Sequence, residues 1–322
     1  MSLILAVDGG NSKTDAALLT SDGDVIGAVR GPQSSPDQLG VEGSIDVVER
    51  LARELGEEAD LAVLLLAGLD FDDEEDAYRC AAERRGLARR LVVGNDTFAV
   101  LRAGSSSGWG VAVVCGAGIN CVGVAPDGRQ ARFASLGEIS GDWGGGSDVG
   151  MAAVVAAARS HDGRGPRTVL ESAVPAHFGL STPVELARAL HARRVTVDEL
   201  RELAPLVFAA ARDDAIAAAI VDRLAGEVVT MVRAALTRLD LLDEDVEVVL
   251  GGALLQCGDE RLLAGVELGV AALGSRLRVM VGDAPPVVGA ALVGLDAVGA
   301  PEAAHDRLRA RLGAAAAALA AR

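Results

Sequence analysis

A short polar segment follows directly after the first apolar run of the chain. One carboxylate, Asp8, ends that run, and the next residues are Gly9, Gly10, Asn11, Ser12, Lys13 and Thr14. Glycines let backbone N–H groups approach an anion closely, while hydroxyl groups and a lysine supply further donors for phosphate oxygens. Residues of these types also form ordinary tight turns. The composition therefore leaves two possibilities, a phosphate-binding turn and a plain turn.

The segment does not fit the two common phosphate-binding motifs. A Walker A loop has Gly directly before Lys-Ser/Thr and a helix after it, whereas Ser12 precedes Lys13 here. The glycine spacing of a Rossmann fingerprint is absent, and residues 15–19 have the length of a strand that ends at the turn Ser21–Asp24. A phosphate at this place would therefore be held by a β-hairpin through its backbone N–H groups. Lys13 is the only lysine of the chain, which suggests a role for it.

The composition limits the kind of protein. The 322 residues suit two domains, and because 50% are hydrophobic but only 2% aromatic, the core must consist of Ala, Val and Leu. A net charge of −16 argues against nucleic acid and anionic membranes as partners. No secretory signal and no apolar run of membrane-spanning length is visible, so we expect a cytoplasmic protein.

After the first hairpin, the chain alternates between apolar strands and amphipathic helices. The predicted elements are a strand at 25–26, a polar loop at 31–40, a helix at 45–55, a strand at 61–66, a helix at 73–86 and a strand at 91–93. Ser44 is the expected N-cap of the first helix. Continuous apolar strands that alternate with helices indicate an α/β domain with a covered sheet.

The opening pattern occurs a second time at 110–133. Both copies contain an apolar strand, a turn of small residues, a second strand and an Asp-Gly turn, which is Asp22-Gly23 in the first copy and Asp127-Gly128 in the second. A repeated unit of this kind indicates a duplicated fold. The predicted parts are an N-terminal domain at 1–107, a C-terminal domain at 108–302 with a helical insertion at about 148–240, and a final helix at 303–322 that packs back on the first domain.

Five motifs link the chain to a known family. In chain order they are Asp8–Thr14, Asn95-Asp96, Cys115–Asn120, Gly141–Asp148 and Gly251-Gly252-Ala253. On these motifs the chain resembles the actin/Hsp70/sugar-kinase superfamily, and within it the BadF/BadG/BcrA/BcrD-type family, which includes the N-acetylglucosamine kinases. The resemblance implies an α/β, two-domain actin-like ATPase fold of the ribonuclease H-like type, duplicated, with a nucleotide in the cleft between the domains.

The same resemblance implies ATP and Mg²⁺ as ligands. The first turn would contact the β- and γ-phosphates, the second turn the tail of the nucleotide, and the third glycine motif the adenosine. Asp8 would hold Mg²⁺ through water, because Mg²⁺ keeps much of its hydration shell. The residues assigned to ATP are Gly9, Gly10, Asn11, Ser12, Lys13, Thr14, Gly116, Ala117, Gly118, Gly251, Gly252 and Ala253.

Asp96 is the candidate general base. It follows a buried strand, at the end where the side chains of α/β proteins reach the ligand crevice. A carboxylate there could accept the proton of a sugar hydroxyl that attacks the γ-phosphate. The alternative is that Asp96 only caps a helix that begins at Thr97, and one residue can do both.

The resemblance also implies the residues that bind the sugar. They are Ser35, Asp96, Asn120, Ser135, Leu136, Gly137 and Asp142. In the kinases of this family an asparagine in the loop after the first hairpin contacts the acetamido sugar, but Ser35 stands at that position here. Gln33, Ser34 or Asp37 could replace the contact, and Asp37 would suit an amine.

The sequence therefore predicts an ATP-dependent kinase that phosphorylates an amino sugar, N-acetylglucosamine, at a primary hydroxyl. One alternative is an ATPase that activates a radical dehydratase through a bridging [4Fe–4S] cluster, for which Cys115 and Cys121 are the candidate ligands. Because both lie in apolar strands, reduced and buried thiols are the favoured interpretation. The other alternative is a non-catalytic sugar or nucleotide sensor. A homodimer is expected from the resemblance alone.

Overall fold

The computed structural model describes residues 2–56 and 58–320, which form two five-stranded sheets. The first sheet has the order β3-β2-β1-β4-β5 and consists of β1 (Leu3–Gly9), β2 (Lys13–Thr20), β3 (Val25–Pro32), β4 (Ala59–Leu66) and β5 (Ala88–Asn95). The second has the order β10-β9-β6-β7-β8 and consists of β6 (Gly110–Cys115), β7 (Ile119–Val124), β8 (Gln130–Arg132), β9 (Val246–Gly251) and β10 (Leu277–Val281). Both predicted hairpins and the α/β class are confirmed.

Helices make up most of the remaining described chain. They are α1 (Pro36–Leu55), α2 (Asp72–Arg84), α3 (Thr97–Gly104), α4 (Gly145–His161), α5 (Leu170–His177), α6 (Pro183–His191), α7 (Ala204–Ala210), α8 (Ala215–Leu239), α9 (Ala253–Gln256), α10 (Glu260–Leu273), α11 (Pro286–Ala297) and α12 (Glu302–Ala320). Within residues 2–56 and 58–320, no helix is both long enough and apolar enough to cross a bilayer.

Contacts between Cα atoms divide the chain into two compact units. Unit 1 comprises Met1–Ala112, Val122–Ala134 and Gly282–Arg322, and unit 2 comprises Val113–Cys121 and Ser135–Val281. The last two residues of the predicted final helix, 321 and 322, lie outside the described residues.

In unit 1, the first sheet is buried on both faces. Alternate residues of a strand point to opposite faces, so Ile4 packs with Leu292 and Leu308 of α11 and α12, whereas Leu5 packs with Ile45 and Tyr78 of α1 and α2. This arrangement explains why the strands have continuous apolar runs.

The segment after β3 differs from the prediction. The predicted polar loop at 31–40 is wrong, because β3 continues to Pro32 and α1 already begins at Pro36, with a break at Gly40, where φ is 69°. Ser44 is therefore not an N-cap. Its buried hydroxyl lies inside α1, where it donates to the carbonyl oxygen of Ser34 at 2.5 Å and lies 2.9 Å from the Tyr78 hydroxyl.

Strands β1, β4 and β5 are parallel, and their carboxyl ends lie in one row. Gly9 pairs with Leu66, and Leu66 pairs with Asn95. The segments that follow these three strands therefore leave the sheet at the same edge, where side chains can converge on a ligand.

Candidate active site

The turn between β1 and β2 has backbone donors that the protein does not use. Gly10 N donates to Lys13 O at 2.9 Å and closes the turn. In the described part of the chain, the amides of Asn11 and Ser12 donate to no protein acceptor, and both residues are exposed. Backbone N–H groups presented in this way form an anion-binding site.

Two residues of this turn have other roles in the structure. A Cβ atom on Gly9 would lie 2.2 Å from Leu66 Cδ2 and 2.3 Å from Ser34 Oγ, so only glycine permits this packing. The Thr14 hydroxyl is buried, donates to Pro32 O at 2.7 Å and accepts from the Ser34 hydroxyl at 2.7 Å. Thr14 thus ties the turn to the loop after β3.

Charged side chains stand in a row across β1, β2 and β3. Asp8 pairs with Asp15, and Asp15 pairs with Arg30. Directly opposed residues of antiparallel strands point to the same face of the sheet. Lys13 also contacts Asp15, with Nζ 2.6 Å from Oδ2. The row therefore brings two carboxylates and two cations together beside the turn.

Asp8 and Asp96 lie close enough to influence each other. Burial, followed by the charges of Asp96 and Asp15, raises the pKa of Asp8 to about 8, although Lys13 and Arg30 act in the opposite direction. Burial raises the pKa of Asp96 to about 6. A divalent cation would compensate this excess of negative charge, and carboxylates are the ligands that Mg²⁺ prefers. The donor chemistry at Asp8 thus fits Mg²⁺.

The side chain of Asn95, and not that of Asp96, caps α3. Asn95 Oδ1 accepts from Thr97 N at 2.9 Å and from Thr97 Oγ1 at 2.6 Å. Asp96 occupies the N-cap position, but its side chain makes no capping hydrogen bond. Burial raises the pKa of the Asp96 carboxylate, and backbone N–H groups of Thr97 and of Asp96 itself lower it less strongly, so this carboxylate lies at the start of α3 without closing a side-chain cap.

The loop after β3 and the loop after β4 meet at Gly68. Gly68 has a φ of +80°, and a Cβ atom on it would lie 2.5 Å from Asp37 Oδ2 and 3.0 Å from Ser35 Oγ. The Ser35 hydroxyl is buried and has no hydrogen-bond partner among the described residues. Burial and the charge of Glu74 raise the pKa of Asp37. A hydroxyl and a carboxylate that receive no hydrogen bond within the described part of the chain form a cradle for the polar groups of a ligand.

In unit 2, the second small-residue turn is held by the start of α4. Gly146 N donates to Gly116 O at 2.8 Å, and Ser147 N donates to Ala117 O at 3.0 Å. Gly145 has a φ of +82°, and a Cβ atom on it would lie 2.5 Å from Ala117 O and from Gly118 O. The turn and the glycine run of α4 are therefore one packed unit.

The third glycine motif packs against the strand that leads into the second small-residue turn. A Cβ atom on Gly252, whose φ is +84°, would lie 2.4 Å from the carbonyl oxygen of Cys115, which ends β6. Gly251 ends β9, and Ala253 begins α9 directly after it. Within unit 2, the structure thus brings together the two glycine-rich motifs assigned to the nucleotide.

The predicted sugar residues of unit 2 lie around the loop at 135–142. Ser135 Oγ donates to Ile119 O at 2.6 Å, next to Asn120, whose side-chain oxygen accepts from Cys121 N at 2.7 Å. Asp142 Oδ2 accepts from Ser140 Oγ at 2.5 Å, and its backbone amide donates to Gly137 O at 3.0 Å. Leu136 is 44% exposed. The loop is thus cross-linked by its own polar groups.

Four residues of the candidate site were not predicted from the sequence. They are Asp15, Arg30, Gly68 and Gly145. Asp15 follows the first motif directly and Gly145 lies inside the fourth motif, so their positions were a usable signal. Arg30 and Gly68 join the site only through strand pairing and the loop after β4, for which the sequence carries no local pattern.

Comparisons with known proteins connect this geometry to one family. A family model described as the BadF/BadG/BcrA/BcrD ATPase family matches residues 5–294. The N-acetylmuramic acid/N-acetylglucosamine kinase of Clostridium acetobutylicum is 28% identical over 263 residues, which are 79% of this chain and 86% of that protein. The N-acetyl-D-glucosamine kinase of Dictyostelium discoideum is 23% identical over 223 residues, which are 64% of this chain and 70% of that protein.

Solved structures agree with this result at the level of the fold. A Chromobacterium violaceum protein proposed to be an N-acetylglucosamine kinase has a TM-score of 0.69 and 24% identity, and the match covers 91% of this chain and 99% of that one. A ROK family glucokinase from Streptomyces griseus, solved with glucose and AMPPNP, has a TM-score of 0.55 and 17% identity, covering 90% and 98% of the two chains. The chain has the two-domain actin-like ATPase fold.

Proposed function

The chain belongs to the BadF/BadG/BcrA/BcrD ATPase family, and we propose that it is an ATP-dependent kinase that phosphorylates N-acetylglucosamine at its primary hydroxyl. The observation that carries this proposal is the Asp96 carboxylate. It follows β5 at the carboxyl edge of the first sheet, its side chain makes no capping hydrogen bond, and burial raises its pKa to about 6. The sugar kinases among the relatives support the same reaction class.

The proposed reaction needs a base, donors for phosphate and a metal ligand. Asp96 accepts the proton of the attacking hydroxyl. The free amides of Asn11 and Ser12 stabilise the charge on the transferred phosphoryl group. Asp8 would hold Mg²⁺, which would neutralise phosphate charge when bound. Together, these groups perform the steps that phosphoryl transfer requires of a protein.

The binding residues are assigned unit by unit. In unit 1, the first turn binds the β- and γ-phosphates, and the Ser35 hydroxyl contacts the sugar. In unit 2, the packed turn and glycine motifs bind the rest of the nucleotide. The sugar residues assigned to unit 2 are Asn120, Ser135, Leu136, Gly137 and Asp142.

A sugar panel in a coupled ADP-release assay tests the proposed function. N-acetylglucosamine, glucosamine, glucose and N-acetylmuramic acid are compared at fixed Mg-ATP, and the position of the new phosphate is read by NMR. We expect N-acetylglucosamine to give the highest kcat/KM and a phosphate on the primary hydroxyl. ADP release that no sugar stimulates would contradict the proposal.

The dehydratase-activator alternative is not supported by the cysteines. Cys115 and Cys121 are 0% and 1% exposed, and burial raises the pKa of the Cys115 thiol to about 12 and that of Cys121 as well. A cluster ligand must be a thiolate and must be reachable by the iron.

Gly68→Ala tests the cradle formed by Ser35 and Asp37. The added methyl group would meet Asp37 Oδ2 at 2.5 Å and Ser35 Oγ at 3.0 Å, so we expect KM for the sugar to rise about tenfold, the loss of one charge-assisted hydrogen bond. Gly86→Ala is the matched control, because its φ is +65° and a Cβ atom there meets nothing within 4 Å. Equal KM values for the two variants would show that the cradle does not bind the sugar.

A further inference from the structure

A buried carboxylate next to the first turn has no role in the reaction described so far. Asp15 has a side-chain exposure of 1% and contacts two cations. Arg30 donates to both of its oxygens, from Nε at 2.6 Å and from Nη2 at 2.9 Å, and Lys13 Nζ lies 2.6 Å from Oδ2. Burial would raise the pKa of Asp15, but the hydrogen bonds from Arg30 and Lys13 hold it below its usual value.

We propose that Asp15 is a positioning residue for phosphate binding, which holds the Lys13 ammonium at a fixed place beside the first turn. The two-point contact with Arg30 fixes the plane of the Asp15 carboxylate. That fixed carboxylate in turn fixes Lys13 Nζ. This inference rests on the proposed function, because it assumes that the turn binds the phosphates of ATP.

The geometry leaves Lys13 able to bind a second anion. An ammonium group has three N–H donors, and the contact with Asp15 needs only one of them. The side chain of Lys13 is 47% exposed, so the rest of its head group faces solvent at the turn. A long exposed lysine otherwise samples many rotamers, and ordering it in advance reduces the entropy lost when a ligand binds.

The balance of charge also distinguishes this group from an ordinary ion pair. Asp15 contacts two cations, Lys13 and Arg30, whereas an ordinary ion pair has one. Asp8 lies next to Asp15 on β1. Arg30 is held by its two-point contact with Asp15, whereas Lys13 makes a single contact with Asp15, so the Lys13 ammonium is the cation that can still bind a phosphate group at the turn.

A double-mutant cycle on the full chain tests the inference by measuring Kd for Mg-AMPPNP by calorimetry. We expect Lys13→Met and Asp15→Asn each to weaken binding about 10- to 100-fold, the size of one charge-assisted hydrogen bond. The double variant should bind no more weakly than Lys13→Met, because Asp15 acts through Lys13. Asp222→Asn is the matched control: Asp222 accepts two bonds of 2.6 Å from Arg261 in unit 2.

Each other outcome has a distinct meaning. Unchanged or tighter binding by Asp15→Asn would overturn the inference, because Asp15 would then be neutral or compete with phosphate for Lys13. Additive effects of the two changes would overturn it as well. If circular dichroism shows that Asp15→Asn does not fold, Arg30→Gln is tested instead. Losing the two-point contact between Arg30 and Asp15 must also weaken binding through Lys13. A wild-type chain that binds no Mg-AMPPNP would instead refute the proposed function.

Discussion

Asp96→Asn is expected to lower kcat about 10²- to 10⁴-fold, the usual contribution of a general base. Asparagine keeps the size of the side chain but cannot accept the proton of the attacking hydroxyl. ATP contacts other groups in the proposed site, so Kd for Mg-AMPPNP should stay within about threefold. Single-turnover phosphorylation of N-acetylglucosamine and calorimetry measure the two quantities separately.

The same substitution should not destabilise the fold. The charge of Asp96 raises the pKa of Asp8, so the two carboxylates repel each other in the absence of a cation. Removing one charge relieves this repulsion, and Tm should be unchanged or higher. Asp60→Asn is a suitable control. Asp60 lies at the start of β4, away from the carboxyl edge where Asp96 lies, and accepts a hydrogen bond from Leu3 N at 3.0 Å. Near-wild-type kcat for Asp96→Asn would disprove the assignment of the base.

The pH dependence follows from the raised pKa of Asp96, about 6. The carboxylate is ionised above this value and protonated below it, and only the ionised form can act as a base. Activity should therefore be complete above the pKa and should fall about tenfold per pH unit below it. In Asp96→Asn this acid limb should disappear from the pH profile of kcat/KM.

The sequence allowed candidate residues to be placed in the fold wherever one local segment carries them. The hairpin at Asp8–Thr14 is defined by an apolar strand, a turn and a second strand that are adjacent in sequence. Asp96 could be placed because residues after a buried strand lie at the ligand edge of an α/β sheet. Both features depend on residues that are neighbours in sequence, and hydrophobic periodicity identifies the elements that such residues form.

The position of Arg30 could not be predicted, because it depends on register. The strand predicted at 25–26 in fact runs to Pro32, through glycines that have low strand propensity, since pairing with β2 stabilises it. The register between β2 and β3 shifts between Leu18 and Leu19, and with the register that follows this shift Arg30 pairs with Asp15. A slip of one residue would place Arg30 on the other face of the sheet. No local pattern carries this information.

At the start of α1, a local sequence pattern led to a wrong prediction of the helix N-cap. Ser44 precedes an apolar periodic segment and fits the pattern of an N-cap. The helix begins at Pro36 instead, because tertiary contacts use the Ser44 hydroxyl to connect α1 with Ser34 and Tyr78. A polar residue at a helix start is thus ambiguous until its burial is known.

Gly145→Ala is expected to have the second large effect, on the nucleotide turn of unit 2. The φ of +82° costs about 1–2 kcal/mol for an alanine. The methyl group would also lie 2.5 Å from backbone atoms of Ala117 and Gly118, and relieving this overlap costs about 1–3 kcal/mol more. We therefore expect the free energy of unfolding to fall by about 2–5 kcal/mol.

Because the overlap is with backbone, the turn itself must move, and nucleotide binding should weaken at least about tenfold. Urea unfolding and calorimetry with Mg-AMPPNP measure the two effects. Gly163→Ala separates them: its φ is +80°, but a Cβ atom there meets nothing within 4 Å, so it should lose stability without losing affinity. If Gly145→Ala also kept wild-type affinity, the contact between the start of α4 and the turn would not shape the nucleotide site.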